Sequence, residues 1–80
     1  MDMEGQIRQY IAQKMRPEDV ADLSPEFRLI DRGILDSMGM FEVVAFVEDT
    51  FDVTVEDEDM VAENFETTGA IADLVSRKSN

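Results

Sequence analysis

The chain has 80 residues, 19 Asp and Glu against seven Lys and Arg, a net charge of −12, and neither Cys nor His. That length predicts a single domain over residues 1–80, and the missing cysteines exclude disulfide staples and thiolate metal sites, which fits a reducing compartment. Residues 33–76 hold no Lys or Arg, so nucleic acid and anionic membranes, both of which recruit basic footprints, are poor partners, whereas basic protein surfaces are the natural complement.

Ile7, Ile11 and Met15 recur at helical spacing, with Met3 extending the stripe backward, and predict a first helix over residues 3–15. Pro17 ends it, because a residue before proline is pushed out of the α region. Residues 16–36 form a long connection that Val20, Leu23, Phe27, Leu29, Ile30, Ile34 and Leu35 pin across the bundle. Within it, Ser24, Pro25 and Glu26 suit the opening of a short helical turn. Val43 or Val44, Val47 and Phe51 give the core stripe of a second helix over 37–51, with Asp36 or Ser37 at its cap. Residues 52–55 have β-type side chains but no partner strand, and so read as an extended link. A short third helix is expected over 57–62, its acids placed toward the positive end of the helix dipole. Phe65 plugs the core from the next turn. Thr67 or Thr68 caps a last helix over 67–77, whose stripe is Ile71, Leu74 and Val75. The sum is an all-α, small four-helix bundle, three main helices plus the short third one, with a long loop after the first.

No segment approaches the ~20 apolar residues of a membrane span. The acidic start Met1-Asp2-Met3-Glu4 lacks the basic and apolar regions of a signal peptide, so a cytoplasmic location is expected. Serine nucleophile chemistry needs a base, and there is no His to supply one. Asp57-Glu58-Asp59 lacks the turn glycine and spaced ligands of a calcium loop, and glycine-rich phosphate loops are absent. The expectation is therefore no catalytic residue, no metal and no enzyme.

One segment points to chemistry of another kind. Leu29-Ile30-Asp31-Arg32-Gly33-Ile34-Leu35-Asp36-Ser37-Met38 resembles the prosthetic-group site of acyl and peptidyl carrier proteins, with an Asp-Ser-Met motif at a helix start after a glycine-containing loop. The resemblance continues through Glu42, Val43, Val44, Glu48, Asp49 and Phe51, then residues 52–59, then Asn64-Phe65-Glu66-Thr67 and Ile71-Ala72-Asp73-Leu74-Val75. It is weak over residues 1–25. It implies an acyl-carrier-protein-like bundle, monomeric, whose Ser37 receives 4′-phosphopantetheine from coenzyme A through a phosphopantetheinyl transferase, with Asp36 in the recognition site. It also implies an acyl or aminoacyl cargo held as a thioester, loaded by a ligase and presented to synthase enzymes of fatty-acid, polyketide, nonribosomal-peptide or related biosynthesis. A helix N-terminus suits the added phosphate.

Met38, Phe41 and Ala45 follow helical spacing from Ser37 on a side that the core stripe does not use. They form a candidate partner-facing strip rimmed by Glu42, Glu48 and Asp49, and methionine suits a surface that meets several partners. Gly39 departs from the second acid of many fatty-acid carriers. Asp-Ser-Met-Gly is similar to D-alanyl carrier proteins, and Glu63-Asn64-Phe65 to stand-alone carriers of specialised pathways, so a free-standing specialised carrier is expected. The competing expectation is an acidic, noncovalent interaction module or inhibitor in which Ser37 is only a helix cap.

Overall fold

A computed structural model describes residues 2–79. Among them there are four α-helices and two 3₁₀ turns, and no strand. The first helix, α1, spans Met3–Ala12, and Asp2 caps it by accepting the N–H of Gly5 on Oδ1 at 2.7 Å. Ile7 and Ile11 are fully buried. The α pattern stops before the expected Met15. Gln13, Lys14 and Met15 instead donate to carbonyls three residues back, the tighter 3₁₀ pattern of a closing helix. Met15 still reaches the core.

Pro17, expected to end the first helix, lies beyond the end of α1. It opens α2, Pro17–Val20, at the first helical position, where a missing N–H leaves nothing unsatisfied. Arg16 pairs with Glu18 at 3.4 Å and Asp19 at 3.5 Å across its start. Val20 does not pin the loop and is 38% exposed. The helical turn expected from Ser24, Pro25 and Glu26 is a non-helical turn, closed by Glu26 N–H on Ser24 Oγ at 3.3 Å and Phe27 N–H on the Ser24 carbonyl at 3.1 Å.

The connection is ordered by backbone bonds to the far end of the chain. Leu29 N–H donates to the Glu66 carbonyl at 2.7 Å, and Gly69 N–H to the Pro25 carbonyl at 3.0 Å. The buried hydroxyl of Thr68 donates to Glu4 Oε2 at 2.9 Å. Just before the candidate site the chain turns on Gly33. Gly33 N–H reaches the Ile30 carbonyl and Ile34 N–H the Leu29 carbonyl, a Schellman-type closure that needs a left-handed residue. Gly33 supplies it at φ 76°. Leu29 and Leu35 on either side of this turn are buried.

The longest helix, α3, spans Ser37–Phe51. Val43 and Val47 face the core, while Val44 and Phe51 are half-buried. It ends at Asp52, whose φ of 56° gives the left-handed stop usual at helix ends. The sequence places residues 52–55 in an extended link; Asp52 is instead this left-handed stop, and residues 53–55 form neither helix nor strand, with Glu48 Oε2 accepting the Val55 N–H at 2.9 Å.

The expected helix over 57–62 does not form. Two 3₁₀ turns, Asp57–Asp59 and Ala62–Asn64, stand in its place. Asp59 is the reason. Its carboxylate accepts the Glu56 N–H in a capping box, and its carbonyl is taken at 2.9 Å by both Val61 N–H and Asn64 Nδ2. The carboxylate bond opens the turn as a helix cap does, and the two carbonyl bonds close it after one revolution. Phe65 is fully buried, as the sequence predicts. The last helix, α4, spans Thr68–Lys78 and is capped by Thr67, which accepts the Ala70 N–H at 3.0 Å. Its Ile71, Leu74 and Val75 complete the core, and α4 packs directly on α1. Lys78 reaches back to Asp59 at 2.6 Å and fixes the two turns against this helix.

Candidate functional site

Ser37 is exposed and is the first residue of α3. Asp36 is the cap proper. Its backbone is extended, and its Oδ1 accepts the Gly39 N–H at 2.8 Å. This resolves the choice the sequence left between Asp36 and Ser37, and it releases the serine hydroxyl from capping. A Cβ on Gly39 would stand 3.1 Å from Leu35 Cδ2 and 3.3 Å from Asp36 Oδ1. A side chain there would crowd both the packing of Leu35 and the cap, so glycine keeps the turn tight.

The electrostatics favour an anion bonded to Ser37. The N–H groups of Ser37 and Met38 have no acceptor among the described residues, as expected at a helix start. The first turn of α3 contains no acid beyond its cap. A phosphate there meets unpaired N–H groups and the positive end of a 15-residue helix. The residues present fit a phosphodiester. No described side chain hydrogen-bonds the Ser37 hydroxyl.

Beyond Ser37, α3 presents Met38, 70% exposed, and Phe41, 64% exposed, with Ala45 exposed farther along. A phenylalanine and a methionine this open, on a helix whose Val43 and Val47 are fully buried, define an apolar strip distinct from the core face. The three rim acids are not equivalent. Glu42 is ion-paired with Lys14, Glu48 is half-buried and committed to the Val55 N–H, and Asp49 is exposed with no ion pair among the described residues.

Sequence reasoning missed what α1 adds beside this strip. Tyr10 stacks on Phe46 with ring centroids 4.2 Å apart and planes 11° from parallel. Phe46 in turn meets Phe51 edge-on at 6.1 Å. The hydrogen bond from Lys14 to Glu42 is the largest cause of a lysine pKa above its ordinary value. The spacing of Glu42, Phe46 and Asp49 would have marked this face of α3, but nothing local pairs it with α1.

Ser37 thus stands exposed at a capped helix start, beside an open apolar strip on a small acidic helical bundle. The chain matches the acyl-carrier family over residues 5–80 and belongs to it. Membership implies a phosphopantetheine prosthetic group. Among its relatives, an acyl carrier protein of Desulforapulum autotrophicum is 30% identical over 79 residues, 99% of this chain and 100% of the relative. A D-alanyl carrier protein of Streptococcus mutans is 31% identical over 80 residues, covering 100% and 99%. An acyl carrier protein of an Exiguobacterium species is 33% identical over 72 residues, covering 90% and 87%. No described helix is long and apolar enough to cross a membrane.

Proposed function

We propose that this chain is a carrier protein, not an enzyme, which holds acyl or aminoacyl groups on a 4′-phosphopantetheine arm joined to Ser37 and presents them to biosynthetic enzymes. The observation that carries this reading is the exposed Ser37 at the start of α3, outside the cap that Asp36 supplies. In the attachment step the Ser37 oxygen bonds to the phosphorus of the phosphopantetheine moiety of coenzyme A. The pyrophosphate P–O bond breaks, adenosine 3′,5′-bisphosphate leaves, and the serine proton passes to a base of the phosphopantetheinyl transferase. Bound there, the arm ends in a thiol that holds its cargo as a thioester, so cargo and enzyme meet at high effective concentration. The N–H groups of Ser37 and Met38 orient the phosphate. Asp36 keeps the first turn folded and marks the site for the transferase.

Met38, Phe41 and Ala45 form the apolar centre of the docking strip, and Glu42, Glu48 and Asp49 meet basic residues of the transferase, the loading ligase and downstream synthases. The relatives include both acyl and D-alanyl carriers at almost equal identity, so cargo of either class belongs to the proposal. The test is incubation of the folded chain with a promiscuous phosphopantetheinyl transferase, Mg²⁺ and coenzyme A, read by intact mass. One phosphopantetheine adduct is expected, and Ser37→Ala abolishes it. A folded chain that gains no mass is instead the noncovalent acidic module.

A further inference from the structure

The chain has no cysteine, so its methionine thioethers are the only sulfurs open to reversible oxidation. Their settings differ. Met15 is buried, and Met3, Met40 and Met60 are half-buried and packed against the core. Met38 alone among the described methionines is exposed, at 70%. It follows Ser37 directly in the first turn of α3. Phe41, also open to solvent, lies three residues on along the same helix face.

Thioether oxidation follows exposure, because the oxidant must reach the sulfur. It is also resisted in a core, where the new oxygen is polar and finds no partner. Both effects protect Met15, hinder Met3, Met40 and Met60, and leave Met38 open. Met38 contributes nothing to the core cluster, so an oxygen on its sulfur leaves the bundle folded. What changes is the strip beside Ser37. A flexible apolar side chain becomes a polar one, and its oxygen has to shed water whenever an apolar partner surface covers it. Helical side chains lean toward the helix start, which carries that oxygen toward Ser37.

We propose that Met38 is a reversible oxidation site, which takes one oxygen atom from hydrogen peroxide and thereby weakens the docking of partner proteins beside Ser37. The sulfur lone pair attacks one peroxide oxygen and the O–O bond breaks. The proton on the transferred oxygen passes to the departing hydroxide, which leaves as water. The sulfur loses two electrons and the peroxide gains them. A methionine sulfoxide reductase reverses the step: two thiols become a disulfide and the oxygen departs as water. The effect on docking rests on the carrier reading, while the selective chemistry at the sulfur does not.

The folded chain is treated with hydrogen peroxide, quenched with catalase at timed intervals, digested, and mapped by tandem mass spectrometry that separates Met38 from Met40. Met38 is expected to become sulfoxide several-fold faster than Met3, Met15, Met40 and Met60. The chain oxidised at Met38 is then given phosphopantetheinyl transferase and coenzyme A. Its kcat/KM for arm attachment should fall by about five-fold or more, the effect of covering an unpartnered polar oxygen. Methionine sulfoxide reductases for both epimers, with dithiothreitol, should restore the rate. Met38→Leu should show the same rate before and after peroxide, whatever that rate is. Circular dichroism melts of the oxidised and untreated chains should coincide, and a slower transfer that comes with a lowered Tm counts against the proposal. Oxidation of Met38 no faster than that of the half-buried methionines, or arm attachment as fast on the oxidised chain as on the untreated one, would overturn it. An untreated chain that accepts no arm fails the carrier reading instead, and the peptide map still decides whether Met38 is the oxidation site.

Discussion

Replacing Asp36 by alanine removes one hydrogen bond from the first turn of α3 and nothing from the core. The bond runs from Gly39 N–H to Asp36 Oδ1 at 2.8 Å in a partly buried position. Deleting such a cap costs about 1 kcal/mol, within a range of about 0.5–2. In a domain of this size each kcal/mol lowers Tm by roughly 4–8 °C. Asparagine keeps the acceptor oxygen and caps as well as aspartate. It also relieves one unit of a net charge of −12, so Asp36→Asn should melt within about 2 °C of the parent. Thermal melts followed by circular dichroism measure both variants, and urea titrations check that the alanine variant loses midpoint without change of slope. An asparagine variant as weak as the alanine variant, or an alanine variant as stable as the parent, refutes the capping account. The same pair separates two roles of Asp36 in the transfer assay. Slow arm attachment on an asparagine variant that melts normally means the transferase reads the charge and not the cap.

Two further perturbations test how the bundle is held. A Cβ on Gly69 would stand 2.9 Å from the Pro25 carbonyl that already accepts the Gly69 N–H, so Gly69→Ala should cost about 1–3 kcal/mol in urea denaturation. An unchanged midpoint would show that the loop does not rest on α4. The pair of Asp59 and Lys78 sets a pH dependence. The hydrogen bond from Lys78, then the Glu56 N–H, hold the Asp59 carboxyl below its ordinary range, and the same pairing raises Lys78. The Asp59 contribution is therefore complete above about pH 4 and fades as pH falls through its lowered folded value. The Lys78 contribution is complete below about pH 10 and fades as pH rises through its raised folded value. The stability difference between the parent and Asp59→Asn should be flat between those limits and shrink outside them. A difference that persists unchanged into strong acid contradicts the assignment.

The candidate site was legible because its chemistry is local. A cap, a serine beside it and a helix start lie within four consecutive residues, and the structure leaves Ser37 exposed there. The buried stripes of α1, α3 and α4 were legible for the same reason, since Ile7, Ile11, Val43, Val47, Ile71 and Leu74 follow the helical repeat. Pro17 shows where local rules divide. The sequence reads it as the stop of the first helix, yet α1 ends at Ala12 and Pro17 instead opens α2 at its first position. Over 57–62 the acids favour a helix start, and the Asp59 carboxylate caps one, but the Asp59 carbonyl, taken by Val61 N–H and Asn64 Nδ2, closes it after a single turn. The contacts that the first 14 residues make with α3 were invisible because Lys14 and Glu42, like Tyr10 and Phe46, meet only when the bundle forms.

The two backbone tethers from the long connection both land between Glu66 and Gly69, at the threshold of the last helix. The segment leading to Ser37 is thus moored at its far shore as well as its near one, and the serine travels with the whole body of the protein. On the carrier reading proposed above, whatever reach a cargo needs to visit successive enzymes would come from the arm on the hydroxyl, with the polypeptide as its mast.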